Sequence, residues 1–436
     1  MNTPATGRSS RVYDARHYSQ IVTICHRIIA IILLALLVGV WQMRLVARAA
    51  QRMSWPPLPT APIVQPLTTI AGDVARGRAI VLDRKRGDCV VCHVMPLPDQ
   101  QSHGTIGPPL FGLATHFTPE SLRRRLVDPR TVNPQSVMPA YHKVSGLYAV
   151  LGRYRNQPIL SAQEIEDVIS YLLSLEEAPA SQEPIEQATV STPDERGLSS
   201  YRVENRRSGY TYLSSSQQQL QNDEFANPGM LWVERGRVLW NEVDAANGKS
   251  CATCHGNPEV SMRGVRTRYP QLDSGRRMLI NLEQQINRCR TQHLHVAPYS
   301  YESDALLSLT ALISYQSRGL PIAVRVEGRA RPFFVAGRRF FVRRRGQLDL
   351  ACTHCHDQNA GKRLRGEVLS QGQTNGFPIY RQLWQTLGSP HRMFAWCNTA
   401  VRATALPLGS QEYVNLELYM AWRARGLPVE SPAIRR

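Results

Sequence analysis

The chain has 436 residues, and its 42% content of hydrophobic side chains is typical of a globular protein. This length predicts about three domains. With 52 basic and 34 acidic residues the net charge is +18, which fits an anionic surface or an anionic substrate. Nucleic acid is the least favoured partner, because the sequence contains no recognised nucleic-acid-binding motif.

Residues 1–49 have the pattern of an export segment. A polar, basic stretch precedes the apolar run Ile28–Met43, and Ala47-Arg48-Ala49 has the small-x-small form of a signal-peptidase site. The run is short for a membrane span, so we predict a cleaved signal peptide, with an uncleaved membrane anchor as the alternative. In both cases the remaining chain is exported. Residues 50–70 are Pro-rich and predict a tether, and Cys25 is excluded from the chemistry.

Three C-x-x-C-H segments follow, and they are Cys89-Val90-Val91-Cys92-His93, Cys251-Ala252-Thr253-Cys254-His255 and Cys352-Thr353-His354-Cys355-His356. This pattern is the attachment signature of c-type haem, in which two thiols bind the porphyrin and the histidine binds iron. A zinc knuckle or a redox dithiol would leave the repeated histidine unexplained. The sequence therefore predicts three covalently bound haem c groups, with His93, His255 and His356 as iron ligands. It does not indicate copper.

Unit one is predicted over residues 71–175. After the first motif come Ser136-Val137-Met138-Pro139 and a capping box, Ser161-Ala162-Gln163-Glu164. An apolar helical face follows at Ile165, Val168, Ile169, Leu172 and Leu173. This order resembles a class I cytochrome c domain, in which a Met sulfur is the sixth iron ligand. Met138 is the predicted ligand, with core packing as the alternative, while Met95 is too close to His93 to reach the opposite face easily.

Two further units follow a polar linker that is predicted over residues 176–204. Residues 205–325 and 326–436 have one common plan, in which a C-x-x-C-H motif, a further cysteine and an apolar helix follow in order. The helices are predicted to begin at Ser303 and Ser410. The two units therefore form an internal repeat.

Cys289 and Cys397 stand in this plan where Met138 stands in unit one. Both are predicted iron ligands, because metal binding deprotonates a thiol. A disulfide between them is the alternative that export favours. Rival ligands are also present, namely His293, His295, His391 and Met393. Thiolate ligation would lower the haem potential and methionine would raise it, so unit one is the predicted exit for electrons and a thiolate-ligated haem is a candidate place of chemistry.

At this point the sequence resembles the SoxA subunit of the SoxAX cytochromes of sulfur oxidation. The segments that carry this resemblance are Arg206-Arg207-Ser208-Gly209-Tyr210, Asn227-Pro228-Gly229-Met230-Leu231-Trp232, Gly346-Gln347-Leu348-Asp349-Leu350-Ala351-Cys352 and Pro378-Ile379-Tyr380-Arg381. Unit one is similar to the partner subunit, SoxX. The chain therefore looks like a SoxX–SoxA fusion. The resemblance implies a mainly α fold of three class I cytochrome c-type domains in tandem behind an N-terminal export segment.

The resemblance also implies a function. SoxAX proteins couple thiosulfate oxidatively to a cysteine of the periplasmic carrier SoxYZ and pass two electrons to a soluble cytochrome c. Cys289 matches the thiolate ligand of the first SoxA haem, and Cys397 matches the active-site ligand of the second, which can carry an extra sulfur. The family has an arginine four residues before that cysteine, whereas this chain has Met393 there. Arg392 is the predicted substrate arginine, with Arg381 and Arg402 as alternatives.

Two other functions are compatible with three haem motifs. One is electron transfer without substrate chemistry, which Cys289 and Cys397 disfavour. The other is a thiosulfate dehydrogenase that forms tetrathionate without a carrier, which only the longer SoxA-like segments disfavour. The sequence predicts no nucleic-acid partner, and it predicts membrane attachment only if the N-terminal segment stays uncleaved.

Overall fold

The computed structural model describes residues 65–176, 199–243, 248–273, 275 and 277–436. All of them belong to one compact unit. The predicted export segment lies outside the described residues, as do most of the predicted tether and most of the predicted linker. Within the described ranges, no helix combines the length and the apolar character that crossing a membrane would require.

The described residues are mainly helical, as the sequence predicted. In chain order the α-helices are α1 Val74–Leu82, α2 Pro119–Val127, α3 Ala162–Leu173, α4 Ser215–Asn222, α5 Met230–Asn241, α6 Cys251–His255, α7 Pro258–Ser261, α8 Leu282–Gln292, α9 Asp304–Tyr315, α10 Arg331–Val342, α11 Cys352–His356, α12 Pro390–Ala400 and α13 Gln411–Arg423. The first haem motif begins in a 3-10 turn, Cys89–Val91. The other two motifs form the short helices α6 and α11.

The strands are short and form small sheets. They are β1 Arg202–Val203, β2 Arg206–Arg207, β3 Gln271–Leu272, β4 Leu279–Ile280, β5 Arg363–Leu364, β6 Glu367–Val368, β7 Ile379–Arg381, β8 Thr386–Gly388 and β9 Ala433–Arg435. Strand β7 pairs antiparallel with β8 and parallel with β9, which places Arg381 beside Thr386 and Arg435. The last residue of β7 is thereby held between two strands, and its guanidinium lies over the ring of Trp396 in α12.

One kind of helix crossing occurs three times. Helix α1 packs on α3, α5 packs on α9, and α10 packs on α13. Each crossing sets a glycine of the first helix against a main-chain carbonyl oxygen of the second, in the pairs Gly77 with Asp167, Gly236 with Ser308, and Gly337 with Asn415. A Cβ atom on these glycines would lie 2.1, 2.4 and 2.0 Å from those oxygens, respectively. The close approach therefore requires glycine in all three crossings.

The predicted capping box begins α3. The Ser161 hydroxyl accepts a hydrogen bond from the Glu164 main-chain N–H at 3.4 Å, and the Glu164 carboxylate accepts one from the Ser161 N–H at 2.8 Å. Behind the cap, Ile165, Val168 and Leu172 are buried in the unit-one core. Burial of each such side chain stabilises the fold by about 1.5–3 kcal/mol. The predicted apolar face is confirmed.

The starts of the two later helices also agree with the sequence. Ser303 caps α9 by accepting a hydrogen bond from the Leu306 N–H at 3.3 Å, and α13 begins directly after Ser410. The predicted linker ends too late in the chain, because strand β1 lies within its predicted range and pairs with β2. Tyr201, also inside the predicted linker, stacks on the buried Tyr210 ring at 4.2 Å. Packing against the rest of the fold thus begins before the predicted boundary.

Unit one docks on unit three through main-chain hydrogen bonds. The Leu151 N–H donates to the Arg402 carbonyl at 3.0 Å, and the Thr404 N–H donates to the Ala149 carbonyl at 2.8 Å. An isolated bridge between Val150 and Ala403 continues this contact. The first and third haem motifs are brought close together as a result.

Candidate active site

The histidines of the first and third motifs each have a ring nitrogen within hydrogen-bond distance of a main-chain carbonyl oxygen. Nδ1 of His93 lies 2.7 Å from the Pro108 carbonyl oxygen, and Nδ1 of His356 lies 2.8 Å from the Ser370 carbonyl oxygen. A ring nitrogen that meets a carbonyl carries the proton, so Nε2 keeps its lone pair for a metal. Burial also lowers the pKa of both rings, which favours the neutral form that binds iron.

Both of these rings also lie against a glycine. A Cβ atom on Gly107 would lie 2.2 Å from the His93 ring, and one on Gly372 would lie 2.8 Å from the His356 ring. His255 of the second motif is exposed, and within the described ranges its ring makes no hydrogen bond. Its neighbour is the Trp240 ring at 5.7 Å. The second motif therefore holds its histidine less firmly than the other two.

Cys397 lies on α12 and faces the thiols of the third motif. Burial raises the pKa of Cys397 to about 12, with Cys352 and Cys355 adding to the shift and Arg381 opposing it. A buried thiol stays protonated unless a cation binds the sulfur. The structure thus brings together the predicted active-site cysteine, the third motif and one arginine.

Cys289 lies on α8 and faces the second motif. Burial raises the pKa of Cys251, and the Cys289 thiol adds to that shift. The Gln285 side-chain amide donates a hydrogen bond to the Cys289 sulfur at 3.2 Å. The arginines on this helix have other partners, since Arg288 pairs with Asp273 at 2.7 Å and Arg290 donates to a carbonyl and stacks on a tyrosine ring.

Neither a disulfide between Cys289 and Cys397 nor the rival iron ligands receive support from the described part of the chain. Both Cys289 and Cys397 are free thiols, so the disulfide is not formed. His293 and His295 are exposed. The remaining rivals are occupied elsewhere: His391 lies in a buried cluster described below, and Met393 packs against an apolar cluster that contains Phe377, Ile379 and Ala433.

Met138 packs against the unit-one core, in a loop that contacts unit three. Its N–H donates to the Ser136 hydroxyl at 3.2 Å, and Arg344 donates to the Ser136 carbonyl at 3.1 Å. Met95 is buried in the same core, and its N–H donates to Nδ1 of His103 at 3.0 Å.

The first and third motifs are neighbours. Burial raises the pKa of Cys92 to about 12, and the Cys355 thiol is the largest further contribution to the shift. The Arg365 N–H in the turn between β5 and β6 donates to the Val91 carbonyl inside the first motif at 2.8 Å. Groups attached at these two motifs would lie close to each other, whereas no such contact joins the second motif to the first in the described residues.

The candidate arginines occupy different places. Arg392 donates to the Leu387 carbonyl at 3.3 Å and lies 3.9 Å from the Glu302 carboxylate. Arg402 donates to the Lys85 carbonyl of unit one and to the Gln347 side chain of unit three, both at 2.6 Å, and so holds the two docked units together. Arg381 is the candidate that acts electrostatically on Cys397.

A buried acidic cluster lies between units two and three. The Glu417 carboxylate is 3.2 Å from Nε2 of His391, whose Nδ1 accepts a hydrogen bond from the Gly409 N–H at 3.0 Å. Burial beside Glu417 raises the pKa of Glu283 to about 7. Burial acts to raise the pKa of Glu417 as well, but His391 and Arg266 more than offset it, and the net pKa is lowered. This cluster ties the Cys289 helix to the Cys397 helix.

The donor sets fit c-type haem. Each motif pairs two thiols with a histidine, and Met138, Cys289 and Cys397 are candidates for the sixth position. Among the described residues, no group of three or more Cys, His, Asp or Glu side chains is arranged to hold a metal ion by itself. The zinc alternative therefore receives no support from this part of the chain.

Comparison with known proteins decides the family. Residues 235–322 match the family model described as SoxA/TsdA, cytochrome c domain. The L-cysteine S-thiosulfotransferase subunit SoxA of Pseudaminobacter salicylatoxidans is 39% identical over 230 residues, which cover 52% of this chain and 80% of that protein. The Rhodovulum sulfidophilum subunit is also 39% identical, over 54% of this chain and 82% of its own length. The chain belongs to the SoxA family.

A solved structure agrees with this assignment. The chain matches the crystal structure of SoxXA from P. pantotrophus with a TM-score of 0.52 and 38% identity, over 53% of this chain and 87% of that one. The predicted SoxA resemblance and the predicted enzyme class, L-cysteine S-thiosulfotransferase, are confirmed. A cytochrome c domain implies c-type haem, which confirms that part of the cofactor prediction. The matches cover about half of the chain, so the SoxX resemblance of unit one stays a prediction.

Sequence reasoning missed the cluster of His391, Glu283 and Glu417 as a unit. Its members come from three separate helices, and no local motif joins them. One signal was available in α13, where a charged residue, Glu417, stands between Leu416 and Leu418 on a helix that the pattern predicts to be buried. A charge within an apolar face usually indicates a buried partner.

Proposed function

We propose that this chain couples thiosulfate oxidatively to a cysteine of a SoxYZ-type carrier, and that Cys397 is the place of coupling. The observation that carries the proposal is the convergence of Cys397, the thiols of the third motif and Arg381, whose guanidinium lies 4.1 Å from the ring of the adjacent Trp396. Membership of the SoxA family supports it, since SoxA is named as a subunit of L-cysteine S-thiosulfotransferase.

We assign three c-type haems to the chain. The attachment residues are Cys89 and Cys92, Cys251 and Cys254, and Cys352 and Cys355. The iron ligands would be His93 with Met138, His255 with Cys289, and His356 with Cys397. When bound, these groups supply one-electron acceptance and transfer, at potentials that depend on the sixth ligand.

The reaction balances as follows. A carrier thiol and thiosulfate give a carrier S-thiosulfonate, one proton and two electrons, and one S–S bond forms between the carrier sulfur and the outer sulfur of thiosulfate. Cys397, or its persulfide, mediates formation of that bond. Arginine near Cys397 holds the dianion by charge-assisted hydrogen bonds, which concentrates it next to the reacting sulfur.

The docking of unit one supplies a short exit for electrons. The contact between Cys92 and Cys355 supports direct passage from unit three to unit one, without unit two. Because methionine ligation raises the haem potential, Met138 as a ligand would make unit one the better electron acceptor and the place of discharge to a soluble cytochrome c. In this proposal the SoxX-like unit is fused to the SoxA-like units, and the protein acts in the periplasm, where SoxYZ is its partner.

The intact mass of a SoxYZ-type carrier tests the function. The carrier is incubated with this protein, thiosulfate and oxidised cytochrome c, and a control omits this protein. A mass gain of one thiosulfate that requires this protein supports the proposal. An unchanged carrier, with reduced cytochrome and tetrathionate, would contradict it in favour of a thiosulfate dehydrogenase. No reaction at all would favour an electron carrier.

A further inference from the structure

Arg381 has an unusual position for a charged side chain. It ends strand β7, is 9% exposed, and donates from Nε to the Arg436 main-chain oxygen at 2.9 Å. Its Nη1 is buried and has no hydrogen-bond partner among the described residues. A buried guanidinium N–H without a partner costs free energy, which an anion bound at Nη1 would recover.

Two tryptophan rings frame this guanidinium. It lies 4.1 Å from the Trp396 ring centroid and 5.1 Å from that of Trp384. Trp396 directly precedes Cys397 and is 42% exposed. The aromatic faces hold the cation in place without using its N–H donors. The guanidinium is therefore close to both the active-site cysteine and a side chain that reaches solvent.

Among the described residues, no acidic side chain forms an ion pair with this arginine. Glu367 acts on it electrostatically, but that carboxylate is half exposed and pairs with Arg436 at 3.4 Å. Arg392 has a backbone acceptor and a nearby carboxylate, and its guanidinium lies over Trp384 at 4.4 Å. Of the three arginines considered for substrate, Arg381 is the one with a buried unpaired donor.

We propose that Arg381 binds the sulfonate of thiosulfate beside Cys397. Met393, four residues before Cys397, has no N–H donor with which to bind an anion. A guanidinium can offer two parallel N–H groups to two sulfonate oxygens, and Nη1 supplies one of them. The inference rests on the proposed function, because it assumes that thiosulfate reacts at Cys397.

Steady-state kinetics of R381Q and R381K test the inference, with SoxYZ-type carrier, thiosulfate and oxidised cytochrome c. R425Q is the matched control, because Arg425 also lies 4.1 Å from a tryptophan ring, that of Trp422, and Cys397 has no electrostatic contribution from it. We expect R381Q to raise the KM for thiosulfate by about tenfold or more, with a smaller change in kcat. R381K should lie between R381Q and the parent protein, and R425Q should match the parent.

Haem content and the haem midpoint potentials are measured on the same variants. If R381Q left the KM unchanged but shifted a midpoint potential, Arg381 would be the partner of a haem propionate and the inference would be wrong. If the parent protein formed no carrier adduct, the proposed function would fail instead. An active parent with an unaffected R381Q would overturn the arginine assignment alone.

Discussion

The surroundings of Cys289 and Cys397 differ, although both cysteines stand at the same place in a repeated plan. Cys397 is half-buried near Arg381, and Cys355 of its motif lies near Cys92 of the first haem motif. Cys289 is half-buried, accepts a hydrogen bond from Gln285, and has arginine neighbours that are already paired. The two cysteines therefore differ in whether an arginine lies near the sulfur and in how close their motif lies to the first haem motif.

The haem-motif histidines of units two and three also differ in how firmly the surrounding residues hold them. His356 is held by a carbonyl hydrogen bond and a close glycine, whereas His255 is exposed and lies near Trp240. A held ring keeps its iron-binding nitrogen in place, and a less restrained ring allows more variation in ligation. The motif histidine of unit three is therefore more restrained than the motif histidine of unit two.

The largest effect is expected at Gly372. Its φ is +67° and a Cβ atom would lie 2.8 Å from the His356 ring, so Gly372→Ala combines backbone strain with displacement of the histidine. We expect a loss of about 3 kcal/mol of unfolding free energy and impaired haem incorporation in unit three. Thermal unfolding and haem content per chain measure this.

Gly361→Ala is the control for that change. Gly361 has φ +92° but open space around its Cβ position, so the substitution should cost only about 1 kcal/mol. Equal losses in the two variants would show that contact with His356 contributes nothing, and the comparison of held and loose histidines would lose its basis.

An intermediate effect is expected at Glu283, which lies on the Cys289 helix and belongs to the buried cluster that joins it to the Cys397 helix. Its folded-state pKa of about 7 exceeds the ordinary glutamate pKa of 4.5, so at a pH between these values the folded chain retains a proton that the unfolded chain has released. Stability from this group is therefore present below pH 4.5 and is lost as pH rises to about 7. Glu283→Gln should remove this dependence and stabilise the protein at pH 8 by on the order of 2 kcal/mol.

Unfolding of both proteins at pH 5 and pH 8 measures the difference. The charged and polar neighbours of Glu283 are Glu417, His391, Arg266 and Tyr301, and they stay unchanged in the variant. Glu412→Gln, at an exposed position in the first turn of α13, is the control and should leave the pH dependence as it is. A pH slope that survives in Glu283→Gln would mean that another group titrates.

The smallest effect is expected at Gln285. Removing its hydrogen bond to the Cys289 sulfur by Gln285→Ala makes a bound thiolate a stronger electron donor, so the unit-two potential should fall by some tens of millivolts, or about 1 kcal/mol. Coupling activity should not change. Gln292→Ala on the same helix is the control in redox titrations. A loss of coupling activity in Gln285→Ala would place unit two on the electron path.

The local features of this chain could be predicted from the sequence, whereas the packing of its units against one another could not. The haem motifs, the Ser161 cap and the starts of α9 and α13 depend on neighbouring residues, so spacing and capping rules predict them. The choice among arginines depends on β7 pairing with β9, which joins residues more than fifty positions apart. The docking of unit one on unit three likewise depends on surfaces, which no short pattern encodes.

The most direct test of the account compares Cys397→Ala with Cys289→Ala in the carrier assay. Covalent haem content is checked first, because the C-x-x-C-H thiols stay intact in both variants. We predict that Cys397→Ala lowers formation of the carrier S-thiosulfonate by about a hundredfold or more, while Cys289→Ala stays within about threefold of the parent. Full coupling by Cys397→Ala, or an equal loss in both variants, would contradict the assignment of the chemistry to unit three.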